Sequence, residues 1–286
     1  MAIPAVLSQI INILYNLVDK MFIGHIPHYG VQALAGLGVT TPVILLLSSF
    51  ASLVSMGGAP KAAIYLGKNN KKKAEQIMGS CLAMLIVLSI LLTLTMLLWG
   101  KNILLIFGAS NQTIKYAIDY MKIYCLGTVF VQLALGLNAF VTTQGYTQKS
   151  MLFVSIGAII NIILDFLFIY VLHLGIKGAA LATVISQAIS SLLIIHFLSS
   201  KKSRIQLKKV YIKLDFKLIL PCLLLGTSPA LMQITENMVA ISFNTVLQQY
   251  GGDIAVSSMS ILNSIMQFVM LLLPGLVQGA QPILSY

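Results

Sequence analysis

Charge is what this sequence lacks most. Only 9% of its 286 residues are Asp, Glu, Lys or Arg, whereas soluble domains carry roughly 25%. That shortage excludes a soluble globule. Acid is scarcer than base, with seven Asp and Glu in all, so each acid asks for an explanation. Cysteine is also sparse. Cys81, Cys125 and Cys222 each fall inside an apolar run, which excludes a disulfide scaffold or thiolate metal cluster and leaves them as small buried residues. His25, His28, His173 and His196 are scattered without zinc-site spacing. There is no phosphate loop and no dinucleotide fingerprint, so neither a nucleotide nor another cofactor is implied.

What the sequence has instead is apolar length. Hydrophobic residues make up 58% of it, gathered into eight runs at 3–23, 34–58, 76–99, 117–140, 151–172, 178–198, 218–248 and 255–284. A helix needs about 20 such residues to cross a bilayer. The expectation is an all-α polytopic membrane protein surrounded by lipid. The first run has no basic flank and contains Asn12, Asn16 and Asp19, so it does not read as a cleaved signal.

The net charge of +11 would suggest nucleic acid in a soluble protein. Its placement says otherwise. Lys61, Lys68, Lys71, Lys72, Lys73 and Lys149, together with Lys201, Lys202, Arg204, Lys208, Lys209, Lys213 and Lys217, supply 13 of the 18 basic residues. All lie on alternate connections. Lys101, Lys115, Lys122 and Lys177 lie on the other set, and Lys20 near the end of the first run. Basic loops stay in the cytoplasm. The alternation predicts a cytoplasmic amino terminus, a multi-pass membrane protein, and basic loops facing anionic lipid rather than nucleic acid.

The most basic connection, 200–217, divides the chain. "PAVLSQI" at 4–10 resembles "PALMQI" at 229–234, "YGVQALA" at 29–35 resembles "YGGDIAV" at 250–256, and "GAP" at 58–60 resembles "GAQP" at 279–282. The offset stays between 221 and 225, which marks an internal repeat. The expected organisation is a six-helix lobe over 1–199, a basic cytoplasmic linker over 200–217, and the first two helices of a second lobe over 218–286. Transporter sites lie between paired repeats. The expectation is therefore an incomplete chain, the first part of one of roughly 440 residues; alone it should not transport.

Polar groups inside spans must find partners in the bundle. The first span carries Ser8, Asn12, Tyr15, Asn16 and Asp19 at steps of three and four, on one face. The fifth carries Asn161 and Asp165 at i, i+4, and the sixth Thr183, Gln187 and Ser191. The seventh carries Gln233, Glu236, Asn237 and Asn244, with Glu236 at the repeat position of Asn12. Ser and Asn in spans more often join helices than bind ligands. A carboxylate is different, because inserting it opposes folding by ~2.5–3.5 kcal/mol or more. Two aspartates, an amide and a hydroxyl are hard oxygen ligands, suited to a small hard cation or a proton.

At this point the residues resemble the multidrug and toxic compound extrusion (MATE) family, in a bacterial branch that holds staphylococcal exporters. "YNLVDKMFIG" at 15–24 is similar to the family's first-helix motif, "TTQGYTQKSM" at 142–151 to its loop after helix 4, and "NIILD" at 161–165 to its paired Asn and Asp. The resemblance implies a cation site at Asp19, Asn161, Asp165 and Thr183, where Na+ or H+ would bind. It implies a second-lobe acid at Glu236, with Gln233, Asn237, Asn12, Tyr15, Asn16 and Gln187 toward a small organic substrate. It further implies an antiporter, monomeric when full length, rather than an enzyme. Two alternatives stand beside it. A flippase for a lipid-linked sugar would carry a basic cavity, yet the spans hold almost no Lys or Arg at mid-depth. An intramembrane aspartyl protease using Asp19 and Asp165 would need supporting motifs that the sequence does not show.

Overall fold

The computed structural model describes residues 2–27 and 29–269 of the chain. Every regular element among them is helical: α1 (Ala2–Gly24), α2 (Gly30–Gly67), α3 (Lys71–Ile106), α4 (Ile114–Leu126), α5 (Thr128–Thr143), α6 (Thr147–Phe166) running into a π turn (Leu167–Val171), α7 (Ile176–Ser199), a 3-10 turn (Lys209–Tyr211) and α8 (Phe216–Val269). Five helices are each long and apolar enough to cross a membrane, and the bent pair α4–α5 makes a sixth. α1, with 23 residues, reaches about 35 Å at 1.5 Å per residue, enough to cross as well. The all-α expectation holds. The eighth expected run, to 284, continues beyond the described residues.

The packing inverts that of a soluble protein. Leu91, Leu94 and Leu98 on α3, Ile159 and Ile163 on α6, and Leu224 and Leu231 on α8 face outward. Small and polar residues face inward together with a share of the large apolar ones. Two apolar clusters fill the interior. One joins Leu34, Leu37, Tyr120, Tyr124, Ile169 and Ile176. The other, toward the basic end, joins Met78, Leu85, Leu137, Phe140, Ile194 and Ile219.

Two spans depart from the simple helices the sequence predicts. The run at 117–140 is two helices bent by 60° at Gly127. A Cβ there would strike the Val184 side chain of α7, so glycine lets α7 press into the break. The freed backbone is satisfied, because Thr93 Oγ1 on α3 donates to the Cys125 carbonyl at 2.8 Å. Buried irregular backbone survives in a membrane bundle only where neighbours supply such partners. α8 is hinged at Gly252 (φ 61°, ψ −162°), a left-handed geometry that favours glycine.

Pro42 shows the same logic inside α2. Proline has no N–H to donate to the carbonyl four residues back, which is that of Gly38. Asn244 Nδ2 of α8 donates to that carbonyl at 3.2 Å. Asn244, one of the polar residues of the seventh span, thus has a structural role.

The segment 200–217 is basic, as the sequence indicates, but it is docked rather than loose. Ile205 is fully buried. Its N–H and the Ser203 hydroxyl both donate to Gln144 Oε1 at 2.9 Å, and Gln144 is itself buried. The Tyr146 hydroxyl donates to the Lys202 carbonyl. The 3-10 turn lies on α3 at Gly79, where any Cβ would strike the Tyr211 carbonyl. Buried Glu75 accepts from Lys208 Nζ at 2.8 Å and from the Gln206 N–H at 3.4 Å. The Glu75 hydrogen bond raises the Lys208 pKa above the ordinary 10.5. Because this pKa is raised, its stabilising contribution is present at neutral pH and fades only as pH climbs past it. Glu75→Gln is therefore expected to loosen the segment, seen as several-fold faster trypsin cleavage at 201–217 near neutral pH. An unchanged cleavage rate would exclude this anchor.

Candidate functional site in the membrane interior

The site is built by register. α6 and α7 run antiparallel in close contact at Gly157, where a Cβ would strike Ser190 Oγ; that hydroxyl donates to the Phe153 carbonyl of α6 at 3.2 Å. One turn and two turns along α6 come Asn161 and Asp165. The same steps back along α7 come Ser186 with Gln187, then Thr183. The register thus sets Thr183 level with Asp165.

α1 is set by a different tie. The last four carbonyls of a helix have no partner within it. The Tyr170 hydroxyl, on the π turn, donates to one of them, the Phe22 carbonyl, at 3.1 Å. The two rings pack edge to face at 5.7 Å between centroids. About one turn below this tie lie Asp19 on α1 and Asp165 on α6. A π turn inserts an extra residue into a helix and often marks a functional site; here it begins two residues after Asp165.

Asp19, Asn161 and Asp165 are buried. Thr183, Gln187, Tyr15 and Asn12 are half-buried, and Asn16 is exposed, its amide donating to the Asn12 carbonyl at 2.7 Å. Tyr15 lies within hydrogen-bonding reach of Asn16 and Gln187 and within electrostatic range of both aspartates. The structure thus brings Asp19, Asn161, Asp165, Thr183, Tyr15 and Gln187 together. It does not bring in the polar residues of α8, which packs chiefly on α2. There Asn237 is buried, Gln233 half-buried and Glu236 exposed.

Sequence reading missed Tyr120. On α4, it faces Thr183 and lies within electrostatic range of Asp19 and Asp165. Its signal was present. Tyr120 and Tyr124 are spaced i, i+4 in an apolar run, like Asn161 and Asp165, and a buried phenol calls for a polar partner.

The chemistry follows from what is left unpaired. Asp19 Oδ1, both carboxylate oxygens of Asp165 and both polar side-chain atoms of Asn161 are buried without a hydrogen-bond partner. In folded proteins the great majority of such atoms are paired. Four of these five orphans are oxygens, a set suited to a small cation or to protons. Its ligating atoms are carboxylate and amide oxygens. It fits a hard, exchangeable cation.

The family model MatE matches residues 4–167, more than half the chain. This chain belongs to the MATE family. Among its relatives, the multidrug export protein MepA of Staphylococcus haemolyticus (strain JCSC1435) is 28% identical over all of this chain and 62% of its own length. MepA of Staphylococcus saprophyticus is 25% identical over the same shares. The chain therefore spans about 62% of the length of these MATE proteins. Among solved structures, the MATE multidrug transporter DinF-BH, solved in complex with a ligand, superposes with a TM-score of 0.94 at 30% identity, over all of this chain and 64% of that one. An inward-facing MATE transporter of the MOP superfamily superposes with a TM-score of 0.86 at 23% identity, over 97% of this chain and 64% of the other, which shows the shared fold.

Proposed function

We propose that the protein is a cation-coupled antiporter that exports organic compounds, cationic ones foremost, from the bacterial cell. The observation that carries this is the set of unpartnered oxygens on Asp19, Asn161 and Asp165. Leaving a buried acceptor unpaired opposes folding by about 1–3 kcal/mol, more for a charged group. A protein retains several together only if something else occupies them for part of its cycle. The MatE match and the multidrug export relatives support export as the use.

The coupling ion, Na+ or H+, enters from outside and is held by Asp19, Asp165, the Asn161 amide oxygen and the Thr183 hydroxyl. Bound, it removes the repulsion between two carboxylates in a low-dielectric setting and draws α1 toward α6 and α7. Released, it lets α1 move away. The Tyr170–Phe22 tie lies one turn above Asp19 and provides a pivot for that movement. The six helices up to residue 199 act as one lobe and α8 begins the other, with 200–217 strapping them at the cytoplasmic face. Substrate occupies the space between lobes, reached by Asn12, Tyr15 and Asn16 from α1 and by Gln233, Glu236 and Asn237 from α8. The working form is a monomer.

The test is dye efflux from vesicles bearing the complete gene product, driven by a sodium gradient and then by a proton gradient. Efflux under at least one is expected. If neither gradient drives dye movement above that of empty vesicles, the proposal is wrong.

A further inference from the structure

Cys81 and Cys222 come from helices far apart in sequence, α3 and α8, yet both are fully buried in one apolar cluster. α2 places them together through two adjacent glycines. A Cβ on Gly58 would press on Cys81 Sγ, and a Cβ on Gly57 would strike the Cys222 carbonyl. The two thiols lie close enough in that cluster for each to perturb the other. The Cys222 thiol donates to the Leu218 carbonyl at 3.2 Å. Lys61 of α2 stands within electrostatic range of Cys222, so a thiolate formed there has a counter-ion. All three cysteines are free thiols; the third, Cys125 on α4, lies in the other apolar cluster.

We propose that Cys81 and Cys222 form a thiol–disulfide site whose oxidation by a small uncharged peroxide ties α8 to α3. The Cys222 thiolate attacks one peroxide oxygen, breaking the O–O bond and leaving a sulfenic acid with loss of hydroxide. The Cys81 sulfur then displaces the sulfenic oxygen, which leaves as water. The two thiols lose two electrons and two protons, and hydrogen peroxide becomes two waters. Both thiols are fully buried, so only a small uncharged oxidant can reach them. In a reducing cytoplasm both residues rest as thiols.

The site has a consequence for the transport reading above, on which this part rests. Cys81 is ten residues from the start of α3 and Cys222 six from the start of α8. Both therefore lie within about 15 Å of the basic ends of their helices. A bond there pins α8 to the first lobe on that side and prevents the two from parting.

The experiment treats the complete gene product with hydrogen peroxide and maps its cysteines by mass spectrometry. A cross-linked peptide pair containing Cys81 and Cys222, 2 Da lighter than the sum of the reduced peptides, is expected. It should be absent in Cys81→Ser and in Cys222→Ser and retained in Cys125→Ser. Absence of the pair from the unsubstituted protein after peroxide, with the cysteines still alkylable on denaturation, overturns the site. Where the pair forms, dye efflux should fall at least tenfold and recover with dithiothreitol, with Cys81→Ser/Cys222→Ser insensitive to peroxide. Efflux that continues unchanged in the cross-linked protein overturns the locking role. Efflux absent even in reduced protein overturns the transport reading instead, while the mass shift still decides the disulfide.

Discussion

Asp165→Asn is expected to bring efflux down to the level of cells lacking the protein while leaving the helices inserted and folded. Asn has nearly the shape of Asp, so Asn161, Thr183 and Tyr120 keep their packing. What disappears is one of two negative charges that hold the coupling ion. Stability should move the other way. The buried Asp165 oxygens have no hydrogen-bond partner, and the new amide can donate to Asp19 across the cluster. Replacing a buried carboxyl whose oxygens are unpaired relieves a cost of about 1–3 kcal/mol, so the thermal midpoint in detergent should hold or rise. Such an exchange of stability for activity is common at functional sites. Asp19→Asn should match it, and Asp19→Asn/Asp165→Asn should be no worse than either alone, because groups acting as one unit are not additive. A loss of protein from the membrane in Asp165→Asn would make the residue structural. Normal efflux would remove it from the coupling site.

Gly226→Val carries the largest expected loss of stability. The α2–α8 crossing is made by two glycines facing each other's helix backbones. A Cβ on Gly226 would strike the Leu53 carbonyl, and one on Gly57 would strike the Cys222 carbonyl and approach the Gly226 nitrogen. Small residues at such crossings let membrane helices approach closely, and the tight van der Waals packing there stands in for the hydrophobic drive that lipid removes. A branched side chain would force the backbones apart. Overpacking of a core opposes folding by ~1–3 kcal/mol, occasionally more, and a clash with backbone belongs at the upper end. The expected result is a thermal midpoint several degrees lower and loss of the Cys81–Cys222 cross-link as the helices separate. Gly100→Ala is the control. Its added Cβ would meet only Met96 Cε, at an ordinary 3.7 Å, and stability should stay within experimental error. If Gly226→Val were as stable as Gly100→Ala, the close crossing would not hold α8 in place.

Local periodicity explains why much of the site was legible beforehand. Asn161 and Asp165 share a face because a helix repeats every 3.6 residues, and a carboxylate in a span is conspicuous whatever surrounds it. Asp19 stood out for the same reason. Tyr120 did not, since an aromatic in an apolar run also fits ordinary packing; only its position against Thr183 separates it from Tyr124. The polar residues of α8 show the opposite case. Their spacing looks like that of α1, yet Asn244 serves the carbonyl freed by Pro42, a partnership invisible from either residue's neighbours in sequence.

The sequence alone determined that the chain is a bundle of membrane helices, roughly where each lies, and which charges fall on which connections. These are properties of contiguous segments: apolar length, helical period and loop charge act within a turn or two. The tertiary structure alone decided what each face meets. Gly157 against Ser190 brought Thr183 level with Asp165, and Tyr170 against Phe22 set α1 over α6. Gln144 and Glu75 turned a basic connection into a docked strap, and α2 aligned Cys81 with Cys222. Each joins residues tens to more than a hundred positions apart. Lipid is as apolar as most of the side chains, so hydrophobicity marks a span but cannot choose its partner. That choice falls to close backbone approach at small residues and to hydrogen bonds between helices, which exist only once the chain has folded.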